Sequence, residues 1–239
     1  MLQVKMSERA WCVNCGAQAP ELFRRYSETV LKLVKCQKCG HVADKYVEYE
    51  PVIVLIDLVL LSKEACRHIL LNGDFSCHWK LAILIFLLDG YRGHAVARAP
   101  APEPPPRESS RLFESFDLFD ISPEMCFYLT YLHAFLSCLV YVVVVLLLVA
   151  VMMPSRPPMM LVWKSIVLAG CSTFLMIPAL MCGNPHLYWS LVVVYWFIAQ
   201  VFVLHVACGT SKLLSALVVL AAALAKCHLL EGIWSPTPC

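Results

Sequence analysis

Two C-x2-C pairs, Cys12-Val13-Asn14-Cys15-Gly16 and Cys36-Gln37-Lys38-Cys39-Gly40, decide how the rest of this chain of 239 residues is interpreted. Twenty residues separate the pairs, which gives the pattern C-x2-C-x20-C-x2-C. Thiolates spaced in this way can bind one tetrahedral zinc ion, with two ligands from each of two tight turns. A glycine follows each second cysteine, and glycine accepts the positive φ that such a turn requires. The spacing predicts a zinc ribbon in which Cys12, Cys15, Cys36 and Cys39 bind one structural Zn2+.

Two disulfides, or four unrelated thiols, are the alternatives to zinc. Disulfides need an oxidising compartment. We expect no signal peptide, because residues 1–10 include Lys5, Glu8 and Arg9 and no apolar core. His41 is a possible substitute ligand, although four cysteines already complete a tetrahedron. Such a closed site leaves no position for a substrate or a water molecule, so we predict no catalytic role for the metal.

The composition is that of an integral membrane protein. Hydrophobic residues make up 60% of the chain, charged residues only 15%, and the mean hydropathy is +0.70. Soluble domains are usually about 45–50% apolar and about 25% charged. The net charge of +2 is too small to indicate a nucleic-acid partner. The predicted fold class is therefore a mainly α-helical multi-span membrane protein with a small N-terminal zinc-ribbon (β) head.

Changes in composition divide the chain into four parts. We predict the zinc-ribbon head in residues 1–50 and a β-strand from Thr29 onward. A hairpin at the membrane interface, amphipathic or re-entrant, is predicted in residues 51–91, and a Pro-rich linker in residues 92–122. Residues 123–239 form the predicted four-helix transmembrane body. Its helices are predicted at Met125–Met152, Leu161–Met181, Leu187–Ala207 and Lys212–Leu230, and each is long enough to span a bilayer.

Residues 51–71 are predicted to form one amphipathic helix in the membrane interface. On such a helix Glu50, Asp57, Glu64 and His68 form one polar stripe, Val54 and Leu58 lie on the lipid side, and Pro51 begins the first turn. The apolar stretch Trp79–Leu88 would complete the hairpin, and two true crossings are the alternative. A carboxylate pair for acid–base catalysis is another interpretation of the stripe. A charged helix face is more often solvated, so no catalytic residue is assigned.

Polar residues within the predicted transmembrane body are functional candidates by default. They are His133, Lys164, Gln200, His205, Lys226 and His228. Those near helix ends can reach the interface by extending their side chains, which leaves His133, Gln200 and His205 as the better lipid- or helix-contacting candidates. Most cations lie in the head and in residues 92–111, so both segments are predicted to face the cytosol.

The cysteine pattern is followed by a second pattern, Asp44-Lys45-Tyr46-Val47-Glu48-Tyr49-Glu50-Pro51, which leads into Val52-Ile53-Val54-Leu55-Ile56-Asp57 and closes with Arg67-His68-Ile69-Leu70-Leu71-Asn72. A zinc ribbon leading into D-K-Y-V-E-Y-x-P-V-I-x-L-I-D, with R-H-x-L-x-N, resembles the Arv family. The homologous region covers about a quarter of the chain. Glu50 stands where the family pattern has aspartate, and Cys66 where it has a bulkier residue.

The resemblance implies a non-enzymatic protein of the endoplasmic reticulum membrane that acts in lipid homeostasis. It implies sterol transport or distribution and support of sphingolipid and glycosylphosphatidylinositol (GPI) anchor metabolism. The implied partners are membrane lipids, including sterol and GPI precursors, and the enzymes that handle them. The residues expected to contact lipid or a partner are Tyr46, Tyr49, Pro51, Asp57, Glu64, Arg67, His68 and Asn72. Three alternatives stay open: a lipid flippase, a non-transporting scaffold for a GPI-anchor biosynthetic enzyme, and a membrane enzyme that uses Asp57, Glu64 and His68.

Overall fold

The fold is described from a computed structural model that covers residues 10–26, 31–97, 123–153, 157–177 and 185–231. The N-terminal head contains two short antiparallel strand pairs. Strand β1 (Ala10–Trp11) pairs with β2 (Gln18–Ala19), and β3 (Phe23–Arg25) pairs with β4 (Leu31–Leu33). The strand predicted in this region is confirmed at β4. A few buried apolar side chains, Ala10, Ala19, Leu22 and Ala43, form the core of the head.

Two short helices and a π-helical turn follow the head. A 3-10 turn (Lys45–Val47) leads into α1 (Pro51–Val59), α2 (Lys63–Arg67) and the π-helical turn His68–Asn72. Pro51 is the first residue of α1, where its missing N–H costs nothing and its fixed φ favours the helix. The predicted start of this segment at Pro51 agrees with the structure.

The prediction of one continuous helix over residues 51–71 is wrong. Leu61 adopts φ 56, a left-handed conformation that interrupts an α-helix, and α1 ends at Val59. Ser62 then begins α2 by accepting a hydrogen bond from the N–H of Ala65. Because the axis changes direction here, Glu50, Asp57, Glu64 and His68 do not form the single polar stripe that a straight helix would give.

Helix α3 (His78–Ala97) packs antiparallel to α4 (Pro123–Met152). The ring centroids of His94 and Phe127 are 5.4 Å apart, and those of Phe86 and Phe135 are 6.1 Å apart. Glycine permits this close approach, since a Cβ at Gly90 would lie 2.5 Å from the Tyr131 ring. Helix α3 extends to Ala97, so the predicted boundary between hairpin and linker after residue 91 is wrong. The rest of the predicted linker, residues 98–122, lies outside the described residues.

The C-terminal half contains the predicted helices. They are α4, α5 (Met159–Gly170) with a 3-10 turn (Cys171–Leu175), α6 (Pro185–Cys208) and α7 (Lys212–Glu231). Their bounds agree with the prediction to within about two residues, except that residues 178–184, which hold the predicted end of the second helix, lie outside the described residues. The mainly α-helical fold class with a small β head is confirmed.

Two helices in the described part of the chain are long and apolar enough to cross a membrane, over Glu124–Met152 and Ser190–Cys208. The apolar segment Met159–Leu175 is shorter, and α7 has 20 residues with Lys212, Lys226 and Glu231 near its ends. The prediction that all four helices are long enough to span is therefore supported for α4 and α6 only.

Candidate metal centre and the interface between head and helices

The four cysteine sulfurs lie within 4.8 Å of one another. The Sγ atoms of Cys12 and Cys39 are 3.7 Å apart, and so are those of Cys15 and Cys36. A tetrahedron with metal–sulfur bonds of about 2.3 Å has sulfur–sulfur edges of about 3.8 Å. The four side chains therefore have the separation that one tetrahedral ion requires, and together they could hold one metal ion. Four thiolate ligands fit zinc.

The two turns that carry these cysteines share one backbone geometry. Gly16 and Gly40 have φ 73 and φ 72, as predicted from the glycine after each second cysteine. The N–H of Gly16 donates to the carbonyl of Cys12 at 2.8 Å, and that of Gly40 donates to the carbonyl of Cys36 at 2.9 Å. Each turn is thereby closed on itself, which holds its two sulfurs on the same side.

Backbone hydrogen bonds stabilise the thiolate form of Cys36, which is the form that binds a metal. The N–H groups of Cys39 and Lys38 donate to Cys36 and lower the pKa of its thiol to about 6. At neutral pH this group is a thiolate, the form that binds metal. Burial has the opposite effect on Cys12 and raises the pKa of its thiol to about 12. A cation between the sulfurs would offset that cost, since burial of an anion is unfavourable only while its charge is uncompensated.

The alternatives to a metal site do not match this geometry. All four cysteines are free thiols, with sulfurs too far apart for a disulfide. His41, the possible substitute ligand, is exposed, and its Nδ1 lies 3.0 Å from the carbonyl oxygen of Cys39. Its ring is therefore engaged with the backbone of the second turn.

A buried polar cluster joins the head to the helices. We call Asp44, His68 and Asn72 the Asp44 cluster. The Asp44 carboxylate accepts hydrogen bonds from the N–H of Tyr46 at 3.0 Å and from Asn72 Nδ2 at 2.7 Å, and it lies 2.7 Å from His68 Nδ1. The Asp44 side chain is 0% exposed and the His68 side chain 4%. Buried polar groups at this depth are stabilising only when their hydrogen bonds are satisfied, as they are here.

Asn72 extends this cluster to the first strand. Its Oδ1 accepts from the N–H of Trp11 at 2.9 Å, and its Nδ2 donates to the Trp11 carbonyl at 2.8 Å. One side chain thus pairs with both polar groups of a residue 61 positions earlier. The π-helical turn places His68 and Asn72 so that both reach Asp44, and π-helical turns are frequent at functional sites.

Arg67 makes a second connection, to the first cysteine turn. Its Nη1 donates to the carbonyls of Val13 at 2.9 Å and Asn14 at 2.6 Å. The guanidinium also lies against Gly16, where a Cβ would be 3.4 Å from Cζ. Arg67 therefore satisfies two backbone acceptors of the turn that holds Cys12 and Cys15.

A third group of polar residues surrounds Tyr46. Its hydroxyl donates to Asp57 at 2.7 Å, and Ser62 donates to Glu64 at 2.9 Å. Tyr46 is buried, and burial raises the pKa of its phenol. The ring also packs on His68, with centroids 5.4 Å apart. These contacts connect the 3-10 turn, α1 and α2 to the Asp44 cluster.

The predicted contact residues therefore fall into two groups. Six of them, Tyr46, Asp57, Glu64, Arg67, His68 and Asn72, have intramolecular hydrogen-bond partners. Tyr49 and Pro51 are exposed. Tyr49 is 44% exposed, and its ring makes an edge-to-face contact with Tyr46 at 5.6 Å. Contact with lipid or a partner stays a prediction for the whole set.

One side of α1 presents apolar groups outward. We call Val52, Ile53, Leu55, Ile56, Val59 and Leu60 the α1 apolar face, and their exposure ranges from 42% to 72%. The prediction that Val54 and Leu58 lie on the lipid side is wrong, because they are 2% and 8% exposed. Leu58 packs in a core with Cys66, Leu70 and residues of α5 and α6, and Val54 packs with Tyr46 and Ala65.

The polar candidates in the transmembrane body have different surroundings. Gln200 is buried and donates to the carbonyl of Ile166 at 3.4 Å, and the His205 ring contacts the carbonyl of Thr210. These contacts connect α6 to α5 and to the turn that precedes α7. His133 and Lys226 line a cavity between α3, α4 and α7. His228 is exposed near the end of α7, and Lys164 is partly buried.

Comparison with known proteins identifies the family. The profile of the Arv1-like family matches residues 11–208, which include the cysteine cluster, the Asp44 cluster and the helices up to α6. The chain belongs to the Arv1-like family. The family resemblance predicted from the two sequence patterns is therefore confirmed, and the match extends well beyond them.

The Arv1-like match is shared with proteins from animals and plants. The chain is 30% identical to mouse Protein ARV1 over 215 residues, which are 87% of this chain and 77% of the mouse protein. It is 30% identical to human Protein ARV1 over 179 residues, 73% of this chain and 63% of the human protein. Protein ARV 2 of Arabidopsis thaliana is 41% identical over 98 residues, 38% of this chain and 43% of that protein. No solved structure matches the chain.

Sequence reasoning missed the partners of several motif residues. Asp44 was recognised as part of the family pattern but was not expected to be the centre of a buried cluster. Asp89 and Arg92 were not predicted to be site residues, although they line the same cavity as His133 and Lys226. For Asp44 the available signal was its place at the start of the D-K-Y pattern. The signal for Asp89 and Arg92 was weaker: they are opposite charges at positions i and i+3, directly after an apolar stretch.

Proposed function

We propose that this protein is a non-enzymatic component of lipid homeostasis in the endoplasmic reticulum membrane. In this role it mediates the intracellular transport or distribution of sterol and supports sphingolipid and GPI-anchor metabolism. The observation that carries the proposal is the α1 apolar face, which is fixed beside a metal-binding head instead of being buried in the core. Membership of the Arv1-like family and the two apolar helices long enough to cross a membrane agree with it.

The position of α1 supports contact with the membrane interface. Leu58, Cys66 and Leu70 pack against α5 and α6, and the Tyr195 hydroxyl donates to the carbonyl of Val59 at 2.6 Å. These contacts leave the α1 apolar face open on the outer side of the helices. Six neighbouring apolar side chains exposed to water would be unfavourable, whereas in the acyl region of an interface they are stabilising.

The internal hydrogen bonds support an accessory role over an enzyme that uses Asp57, Glu64 and His68. A general acid or base must reach a substrate proton. His68 is buried and bound to Asp44, while the two carboxylates accept from Tyr46 and Ser62. In this arrangement the three groups hold the head against the helices, which is the role that the proposal gives them.

Charged substitutions on the α1 apolar face test the proposal. In cells that lack their own Arv1-like protein, we expect Leu55→Asp with Ile56→Asp to lose most of the restored sterol distribution. The reason is that a carboxylate at these positions must leave water to enter the interface. The variant should still accumulate and bind its metal, because both side chains are more than half exposed.

The amide variant Asp57→Asn with Glu64→Gln is the matched control. Each amide keeps an oxygen that can accept the hydrogen bond of Tyr46 or Ser62, so we expect most of the restored sterol distribution to remain. An amide cannot act as a general base. Loss of function in this variant, while it is folded and metal-loaded, would favour the enzyme interpretation and contradict the proposal. Full function of the Leu55→Asp, Ile56→Asp variant would contradict it as well.

The orientation in the membrane is tested by glycosylation. We propose that the head and residues 92–111 face the cytosol because they carry most of the cations. A glycosylation acceptor placed at residue 103 should stay unmodified. Efficient glycosylation there would place this segment in the lumen and overturn the proposed orientation.

A further inference from the structure

A charged cavity of about 180 Å³ lies between α3, α4 and α7. Asp89, Arg92 and Gly93 contribute from α3, Thr130, His133, Ala134 and Ser137 from α4, and Lys226 and Cys227 from α7. We propose that this cavity binds the phosphate group of an anionic lipid headgroup. The inference goes beyond the proposed role in lipid homeostasis, and it rests on α4 being a membrane-spanning helix.

The cavity carries an excess of positive charge. Arg92 Nη2 lies 2.7 Å from Asp89 Oδ1, so one of the two cations is paired within α3. Within the described part of the chain, the Lys226 ammonium and the His133 ring have no hydrogen-bond partner in the structure. Asp89 is the one carboxylate among the lining residues, and it is paired with Arg92, so the charge of Lys226 remains as the excess that favours an anion. Because apolar helices surround the cavity, that attraction is stronger than it would be in water.

The chemistry of the lining selects phosphate among anions. Arginine and lysine donate charge-assisted hydrogen bonds to phosphate oxygens, and a histidine ring can donate a further one. The hydroxyl groups of Thr130 and Ser137 lie in the same lining, although the Thr130 hydroxyl also donates to the Cys126 carbonyl at 2.8 Å. Several donors arranged around one small cavity suit a group with three or four acceptor oxygens.

The depth of the cavity favours a lipid as the source of that phosphate. Thr130 and Ser137 lie 6 and 13 residues after Glu124, the start of the apolar span. At about 1.5 Å per residue they lie ~9 and ~20 Å along α4. The span has 29 residues, or ~43 Å, and exceeds a hydrocarbon core of about 30 Å. Thr130 therefore lies just inside one edge of the hydrocarbon core, and the cavity extends from the headgroup boundary inward to Ser137, near the middle of the span.

Exposed aromatic residues support the same depth. Tyr91 on α3 is 53% exposed and Tyr128 on α4 is 68% exposed, and both lie beside the residues that line the cavity. Tyrosine is enriched where its ring can contact acyl chains while its hydroxyl reaches water. The two tyrosines thus indicate the membrane–water interface at the outer end of the cavity, next to Arg92 and Thr130.

Lys226 could instead extend to the interface without binding a ligand, as lysines near helix ends often do. In that case its neutralisation would have no effect on a specific lipid. Lys212, at the other end of α7, is exposed and is absent from the cavity lining, which makes it a matched control on the same helix. The comparison of the two lysines separates a binding site from a general effect of positive charge.

The test measures binding of phosphatidic acid to the purified full chain in mild detergent by native mass spectrometry. We expect Lys226→Gln to weaken the binding of phosphatidic acid about tenfold, because one charge-assisted contact is lost. Lys212→Gln should change the affinity less than about twofold. Lys226→Arg should retain binding, which shows that an effect of Lys226→Gln is not misfolding. Equal effects of Lys226→Gln and Lys212→Gln, or no effect of either, would overturn the site.

Two further arms identify the source of the phosphate. Inorganic phosphate at millimolar concentration should not displace phosphatidic acid, because the acyl chains add contacts that the free ion lacks. Displacement that depends on Lys226 would keep the site and assign it to free phosphate. Diacylglycerol, which has the same acyl chains and no phosphate, should not bind in a manner that depends on Lys226. If it does, the assignment of the cavity to a phosphate group is wrong. Neither the phosphate result nor the diacylglycerol result affects the proposal on sterol distribution.

Discussion

Cys36→Ser should release the metal and unfold the head. Purified protein should contain about one equivalent of a tetrahedrally bound ion, which we propose is zinc, and the variant should contain much less. Binding of structural zinc contributes about 10–16 kcal/mol in small zinc-binding peptides, so a head with so small an apolar core should not stay folded without it. Metal analysis and limited proteolysis of the purified chain measure the two effects.

Cys77→Ser is the control for this experiment. Cys77 is a free, exposed cysteine outside the cluster, so its substitution should change neither metal content nor proteolysis. Because serine can keep some affinity as an oxygen ligand, the double variant Cys12→Ser with Cys36→Ser removes a ligand from each turn. Full metal retention in the double variant would show that these cysteines are not the ligands. A metal other than zinc in the wild-type protein would contradict the assignment of the ion.

Asp44→Ala should detach the head from the helices while the metal stays bound. The substitution removes the acceptor shared by Tyr46, His68 and Asn72 and leaves their buried polar groups unsatisfied. Removing one partner of a buried polar or charged pair typically lowers the free energy of unfolding by about 3–5 kcal/mol. The expected measurement is trypsin cleavage after Lys45 and Arg67 that is at least about tenfold faster, since the residues around them become accessible.

The effect should depend on the buried position of the carboxylate. Asp74 is exposed in the turn before α3, and Asp74→Ala should leave cleavage unchanged. Metal content is also measured in both variants. Asp44→Ala should keep its metal, because the cysteine cluster does not include Asp44. If Asp44→Ala loses metal as completely as the cysteine variants do, the head and the Asp44 cluster form one folding unit. If cleavage is unchanged, the Asp44 cluster does not hold the head in place.

Several features follow from the sequence because they depend on neighbours along the chain. Cys12 and Cys15 must be close in space, since three positions in a tight turn allow no other arrangement, and the same is true of Cys36 and Cys39. The glycine after each pair fixes the turn through its positive φ. Helices α4, α6 and α7 have bounds close to those predicted, because long apolar runs between proline- or glycine-containing breaks leave little choice.

The break between α1 and α2 was not predictable from the apolar pattern. Residues 51–71 have the periodicity of a single helix, but Leu61 adopts a positive φ that leucine disfavours. Packing offsets the cost of this conformation of Leu61, since Leu58 and Cys66, on the two sides of the break, both pack with residues of α5 and α6. As a result Val54 and Leu58 face the protein, and the α1 apolar face is formed by their neighbours.

The sequence by itself determined the four cysteines that could hold one metal ion, the family, and the division into a polar head and an apolar helical body. Only the tertiary structure decided what the motif residues contact. Asp44 pairs with residues 24 and 28 positions later, and Asn72 with one 61 positions earlier. The cavity likewise joins Asp89 to Lys226 across three helices. Local spacing and propensity carry no information about such pairs, because their distances depend on how separate elements pack against one another.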